Sequence, residues 1–199
     1  MTRADVLLAA QTHQLSAPLL SESSYWYLTR ASGFISLALF SVAFTLGLLT
    51  AGRVWSPRWP RFVTESLHRS VSLVAVCMVV VHVTTILFDR YVKISVVDTV
   101  VPFVSAYLPL WVGLGAVAFD VIIALILTSL LRTRLSRFWW RTVHWLAYLG
   151  WPVALAHTVG IGTDRLWVLG VIAVSVFMVL AAGVYRVAGW RRVAVRRPI

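Results

Sequence analysis

Four of the five histidines in this chain lie in two long apolar stretches, at spacings that would let their side chains bind metal-containing groups. His68 and His82 are 14 residues apart in the first stretch, and His144 and His157 are 13 residues apart in the second. On α-helices these separations correspond to about 21 Å and about 20 Å along the axis. Because an imidazole in hydrocarbon is costly unless it is paired, each position indicates either a functional site or a hydrogen bond between helices.

The two histidine pairs match in depth if both helices run in the same direction. His68 then lies level with His144, and His82 lies level with His157. Two neutral imidazoles that face each other between helices can bind a haem iron axially, so the spacing predicts an inner haem b at the first pair and an outer haem b at the second. Zinc is disfavoured, because its usual tetrahedral site needs four ligands around one point.

One part of this geometry does not fit an ideal helix. Fourteen residues at about 100° each return to nearly the same face, whereas thirteen residues place His157 about 140° away from His144. Pro152 lies between these two histidines. Because proline cannot donate the backbone hydrogen bond of a regular helix, we predict a kink there that re-aims His157.

The composition places the helices that carry these histidines in a membrane. Of the 199 residues, 60% are hydrophobic and only 13% are charged, which is too little polar surface to cover a soluble globule. The net charge of +11 does not indicate nucleic acid, because the basic residues fall between long apolar runs. The single cysteine, Cys77, excludes a disulfide framework and a CxxC redox pair.

The predicted fold is all-α: an integral membrane bundle of five transmembrane helices in one domain, because about 20 apolar residues are needed to cross a bilayer as helix. The predicted spans are Tyr25–Thr50, Ser66–Phe88, Leu108–Leu131, Phe138–Val159 and Leu166–Val187. The haem domain is therefore expected over residues 25–187. We expect residues 1–24 to form an amphipathic or disordered leader, and residues 188–199 a basic cytoplasmic tail.

The distribution of arginine predicts the orientation of the bundle. Gly52–Arg61, Arg132–Arg137 and the C-terminal tail are rich in arginine and fall on the same side of the five predicted spans. The bias of basic residues toward the cytoplasm then places the N-terminus outside and the C-terminus in the cytoplasm. The sequence thus predicts a multi-pass protein of the cell membrane, in contact with membrane lipid, and the excess of arginine over lysine suggests a bacterial source.

Three further charged positions are candidates for the site. Asp120 falls near the middle of the third predicted span, where it could be a proton or quinone site or a structural hydrogen-bonding group. Arg69 and Arg141 lie beside the inner histidines and could neutralise haem propionates. Both arginines are equally explained as anchors on the cytoplasmic side.

The pattern resembles the ferric reductase-like transmembrane domain, which is shared by ferric reductases, NADPH oxidases and the haem-binding subunit of bacterial periplasmic methionine sulfoxide reductases. The paired H-x13-H and H-x12-H spacing is the most specific feature of this resemblance. Three segments extend it: Leu28–Ala31, Thr128–Arg132 and His144–Tyr148. The resemblance implies that Arg30 lies by the outer haem, at a propionate or at the site that meets the electron acceptor.

The sequence departs from the larger members of that family. Five helices are predicted where many members have six, and no GxGxxG motif or soluble α/β pattern follows Val187. This chain is therefore not expected to bind FAD and NADPH itself. A separate flavoprotein reductase, or quinol, is the expected donor.

These features predict a function in electron transfer, as a component of an oxidoreductase. Electrons would pass through the two haems to an external acceptor, which could be ferric iron, oxygen or a periplasmic redox protein. One alternative is a quinone-linked membrane anchor cytochrome of a soluble oxidoreductase, with a quinone pocket near Asp120. An alternative of a different class is a proton-coupled transporter that uses Asp120 and the histidines.

Overall fold

The computed structural model describes residues 22–51 and 60–195. In this part of the chain all regular structure is helical. The helices, numbered here in chain order, are α1 (Glu22–Ala51), α2 (Arg61–Phe88), α3 (Val96–Val100), α4 (Pro109–Leu130), α5 (Arg137–His144), α6 (Ala147–Ile161) and α7 (Arg165–Val195). The all-α prediction is thus confirmed for the described residues.

Four of the described helices are long and apolar enough to cross a membrane. Their candidate spans are Ser24–Ala51, Arg61–Phe88, Pro109–Leu130 and Arg165–Ala188. They contain between 22 and 28 residues, which exceeds the roughly 20 residues that a hydrocarbon core requires. The described part of the chain therefore has the character of a membrane protein with four candidate spans.

The remaining predicted span is divided into α5 and α6, and neither helix is long enough to cross a bilayer alone. The interruption lies at Trp145 and Leu146, where the amides of Tyr148 and Leu149 donate to carbonyls only three residues earlier, at 3.0 Å in each case. Such bonds tighten the turn locally in the manner of a 3₁₀-helix. Pro152, where the sequence predicted a kink, lies within α6, several residues after this interruption.

The helix ends also differ from the predicted boundaries. The predicted leader, residues 1–24, overlaps α1, which already includes Glu22; residues 1–21 of it lie outside the described range. At the other end, α7 continues to Val195 and so extends into the predicted tail, residues 188–199. Polar residues at the ends of a span can continue its helix beyond the hydrocarbon, so hydropathy alone places these ends too close together.

The described helices pack in two groups. The first group is built on α1, which lies along α2 and also packs against α7, whereas α4 packs against α6 and α3 in the second group. Between the groups, α2 makes no extensive contact with α4, α5 or α6. In the described chain α2 therefore packs little against the helices that carry His144 and His157.

Small polar residues on α1 allow the first group to pack closely. Ser32, Ser36 and Ser41 are buried, and each donates its hydroxyl to a carbonyl one turn earlier in α1. The Thr29 hydroxyl also donates to the Thr85 hydroxyl of α2, at 2.9 Å. Small side chains with internally satisfied hydroxyls let helix backbones approach in a membrane, where no hydrophobic force draws them together.

Trp151 connects α6 to α1. Its indole Nε1–H donates to the Oγ of the fully buried Ser41 at 2.9 Å, and its ring stacks on Phe44 at 5.4 Å. We expect Trp151→Phe to keep the stacking and lose the hydrogen bond, which lowers the free energy of unfolding by about 1 kcal/mol. Reversible unfolding in mixed micelles measures this. Trp167→Phe is the control, because Trp167 is exposed. If the Trp151→Phe and Trp167→Phe variants had the same free energy of unfolding, the assigned role of the hydrogen bond would be wrong.

Candidate functional site

The structure brings His68 and His82 of α2 together with His144 of α5 and His157 of α6, in two pairs. The ring centroids of His68 and His144 are 6.4 Å apart, and those of His82 and His157 are also 6.4 Å apart. The ring planes within each pair are steeply inclined, at 70° and 83°. Each ring on α2 therefore meets one ring from α5 or α6, at two positions along the bundle.

A backbone carbonyl of a neighbouring helix orients three of these rings. The Nδ1 atoms of His68, His82 and His157 lie 2.8 Å from the carbonyl oxygens of Ala43, Thr29 and Trp111, respectively. Because a carbonyl oxygen can only accept, Nδ1 must carry the proton in all three rings. The proton-free nitrogen is then Nε2, which is the arrangement typical of a metal-binding histidine whose second nitrogen is fixed by a hydrogen bond.

The fourth ring, His144, is held differently. Its Nδ1 is buried and has no hydrogen-bond partner in the described part of the protein, and the same is true of the indole Nε1 of Trp140. The Trp140 ring stacks on the His144 ring with centroids 4.8 Å apart and planes inclined by 19°. The Arg132 guanidinium carbon lies 5.0 Å from the centroid of the Trp140 ring. Aromatic stacking, rather than a carbonyl, therefore orients this histidine.

Glycines make room for the other three rings. A Cβ atom built on Gly33 would lie 3.0 Å from the His82 ring, one on Gly115 would lie 2.6 Å from the His157 ring, and one on Gly47 would lie 3.5 Å from the His68 ring. Only a residue without Cβ fits comfortably at the first two positions. Sequence analysis missed these glycines, although Gly33 and Gly47 on α1 repeat the 14-residue spacing of the α2 histidines.

The dimensions of each pair fit a single metal ion bound from opposite sides. A bond from a metal to an imidazole nitrogen is about 2 Å long and the ring centroid lies about 1 Å behind that nitrogen, so two axial rings have centroids about 6 Å apart. The plane of each imidazole ring would contain the metal–nitrogen bond, so the two ring planes can be steeply inclined to each other. Within the described residues no group of three or more His, Cys, Asp or Glu side chains could hold a metal ion. Each pair therefore offers two imidazoles, a number that would suit a macrocycle supplying the remaining ligands of an iron ion.

The basic candidates occupy different positions. Arg30 is next to Thr29, the residue that binds His82, and its guanidinium pairs with Asp164 at 2.7 Å. It also donates to the Thr163 hydroxyl and lies 4.6 Å from the centroid of the Trp26 ring. The charge of Arg30 is therefore already paired at the end of the bundle where His82 lies.

The other charged candidates, Arg69, Arg141 and Asp120, take no part in these contacts. Arg69 and Arg141 are exposed, and neither forms an ion pair with another described residue. Asp120 lies on α4, and no hydrogen bond or ion pair joins its carboxylate to the described chain. Arg132, which sequence analysis placed only among the cytoplasmic arginines and in the family resemblance, contacts the Trp140 ring that stacks on His144.

Comparison with known proteins identifies a family without a described activity. Residues 16–164 match a family described as "Domain of unknown function (DUF8596)". The match covers well over half of the chain and contains His68, His82, His144, His157 and Asp164. No curated protein and no solved structure matches the chain.

Proposed function

The chain belongs to the DUF8596 family, and we propose that it transfers electrons across a membrane through two b-type haems, each bound by two histidines. His68 and His144 bind the inner haem, and His82 and His157 bind the outer haem. The observation that carries this proposal is the repeated 6.4 Å separation of the paired rings. Two unrelated hydrogen-bonding histidine pairs have no reason to adopt the same separation, which is close to the value of about 6 Å expected for two imidazoles on one metal ion.

The orientation of three of the histidines leaves their Nε2 atoms available to bind iron. Hydrogen bonds from Nδ1 of His68, His82 and His157 to backbone carbonyls keep Nε2 free of a proton and therefore able to bind iron. When bound, haem supplies an iron that accepts and passes on one electron at a time. The apolar helices around the rings exclude water and limit side reactions of the transferred electrons.

Crossing of the membrane by α5 and α6 together follows from the same pairing. The two histidines of α2, a candidate span, are separated by about 21 Å along its axis. Each pairs with a histidine of the α5–α6 segment, so that segment extends through a similar depth. In this proposal the broken segment is the fourth of five crossings, with the N-terminus outside and the C-terminus in the cytoplasm, as the distribution of arginine favours.

The resemblance to the ferric reductase-like domain supplies the proposed partners. Electrons come from quinol or from a separate flavoprotein reductase on the cytoplasmic side. They leave to ferric iron, oxygen or a periplasmic redox protein on the external side, where Arg30 and Asp164 lie beside the outer pair. The unpaired carboxylate of Asp120 is the observation that favours proton transport as the competing function.

An optical spectrum of the protein purified in detergent tests the proposal. We expect a b-type spectrum that changes on reduction by dithionite, with about two haems per chain. Haem is quantified against protein after expression with haem precursor supplied. A colourless protein with an intact helical spectrum would contradict electron transfer and favour proton-coupled transport.

A further inference from the structure

Arg30 links α1 to the loop between α6 and α7, at the end of the bundle where His82 lies. Its two terminal nitrogens bind different residues of that loop: Nη2 pairs with the Asp164 carboxylate at 2.7 Å, and Nη1 donates to the Thr163 hydroxyl. The Trp26 ring lies 4.6 Å from the guanidinium carbon, and only 17% of the Arg30 side chain is exposed. Because a guanidinium presents its donors in a rigid fork, these two bonds fix both the distance and the angle between α1 and the loop.

On α1 this link begins next to the groups that hold His82. Arg30 directly follows Thr29, whose carbonyl accepts a hydrogen bond from Nδ1 of His82 at 2.8 Å, and it lies one turn before Gly33. The backbone of Gly33 is so close to His82 that an added Cβ would lie 3.0 Å from the ring. A movement of this part of α1 therefore moves the His82 ring with it.

At its other end the link reaches the chain just after the helix that carries His157. Asp164 follows His157 by seven residues, and α6 ends between them at Ile161. The turn after α6 is tight: the Gly162 amide donates to the Thr158 carbonyl at 3.0 Å, and a Cβ on Gly162 would lie 2.7 Å from the same oxygen. Asp164 is thus held close to the end of α6.

Among the described residues, little else joins the two sides of the His82–His157 pair. In this part of the chain α2 makes no extensive contact with α6, and α6 makes few contacts with α1 or α7. The hydrogen bond from Trp151 to Ser41 also joins α6 to α1, but Ser41 lies 11 residues after Arg30, roughly 16 Å further along the axis of α1. Without the Arg30 link, the ends of α1 and α6 could therefore separate while the middle of the bundle stays closed.

We propose that Asp164 is a positioning residue of the His82–His157 pair, because through Arg30 it holds the ends of α1 and α6 at the separation that the two rings require. This inference rests on the proposed function, in which the pair binds the outer haem. Asp164 also neutralises the charge of Arg30, and an unpaired positive charge favours the reduced state of a nearby iron. Loss of Asp164 is therefore expected to loosen the outer pair and to raise the redox potential at that site.

The positioning role is tested by distance measurements that do not depend on haem. Nitroxide labels on cysteines that replace the exposed Val80 and Val159, in a Cys77→Ser background, report the separation of α2 and α6 near the outer pair. We expect Asp164→Ala to widen the distance distribution measured by pulsed electron paramagnetic resonance. Asp164→Glu, which keeps the charge, should restore most of the wild-type distribution.

Labels at the exposed Leu67 and Leu149, on the same two helices near the inner pair, are the matched control. Their distance distribution should be unchanged in Asp164→Ala, because the bond between Trp151 and Ser41 remains. A distribution that widened equally at both label pairs would show a general loss of stability, and the positioning role would be wrong.

The electrostatic effect is tested by redox titration of the haem-loaded protein. Asp164→Asn keeps the shape of the side chain and removes its charge, so we expect the electron equilibrium between the two haems to shift about tenfold toward the outer haem, or about 59 mV in its potential. Adding Arg30→Gln removes the unpaired charge and should return the outer potential close to the wild-type value. Asp98→Asn, which removes an acid that contacts Ser95 instead, is the control and should leave both potentials unchanged.

The outcomes separate this inference from the electron-transfer function. Unchanged distances at the outer labels in Asp164→Ala would overturn the positioning role and leave the function intact. A double variant whose outer potential stayed as high as that of Asp164→Asn would overturn the electrostatic effect. Protein that contains no haem would overturn the function, and the label distances would still decide the role of Asp164.

Discussion

Alanine at His82 or at His157 is expected to lower the haem content from about two to about one per chain, because each haem depends on two axial ligands. The rings of these residues are each other's partners at 6.4 Å, so either change should remove the same outer haem. The inner pair lies elsewhere in the bundle and should remain filled. Quantification of haem against protein measures the change, and redox titration should show that the same one of two potentials is lost in both variants.

The remaining histidines provide the comparison for this experiment. His68→Ala or His144→Ala should instead remove the inner haem and the other potential, because these two rings form the second pair. His13 lies outside the described residues and has no spacing partner, so His13→Ala serves as the neutral control. Loss of different potentials in His82→Ala and His157→Ala would contradict the assigned pairing.

A second large effect is expected from the smallest substitution, Gly115→Ala on α4. The added Cβ would lie 2.6 Å from Cε1 and 2.7 Å from Nδ1 of His157, closer than such atoms can approach. The ring must therefore move and weaken its 2.8 Å hydrogen bond to the Trp111 carbonyl. Because a ligand must be held within about 0.5 Å of its productive position, we expect occupancy of the outer haem to fall severalfold.

Gly47→Ala is the matched control for that change. Its Cβ would lie 3.5 Å from Cε1 of His68, which is an ordinary van der Waals contact. This variant should retain both haems, with a haem-to-protein ratio like that of the wild type. If Gly115→Ala and Gly47→Ala lost haem equally, the effect would come from general disturbance of the helices and the argument from ring position would be wrong.

Sequence analysis could identify the four histidines and predict how they pair, because both depend on short-range features of the sequence. Apolar runs long enough to cross a membrane identify helices, and the number of residues between two histidines on a helix determines their separation along its axis. The same arithmetic could not place His157 correctly around its helix. That depends on the interruption at Trp145 and Leu146, which no sequence signal marked and which lies away from the expected Pro152.

Arg30 contacts a distant part of the chain, whereas Trp140 contacts a residue of its own helix. The resemblance associated Arg30 with an outer propionate, and the structure pairs it with Asp164 on the loop before α7. Trp140 stacks on His144 within α5, at a spacing of four residues that helical geometry makes recognisable. Its significance became visible only because both rings have a buried nitrogen without an acceptor in the described structure.

The sequence by itself therefore determined the helical, membrane-spanning character of the protein and the separation of His68 and His82 along α2, because these follow from composition and from rise per residue. Only the tertiary structure decided which backbone carbonyls orient three of the rings, why Gly115 must lack a Cβ, and which histidine is left without a carbonyl. These properties arise where two helices meet. The rotation and separation of the two helices are set by all the packed side chains together, so no single spacing in the sequence predicts these properties.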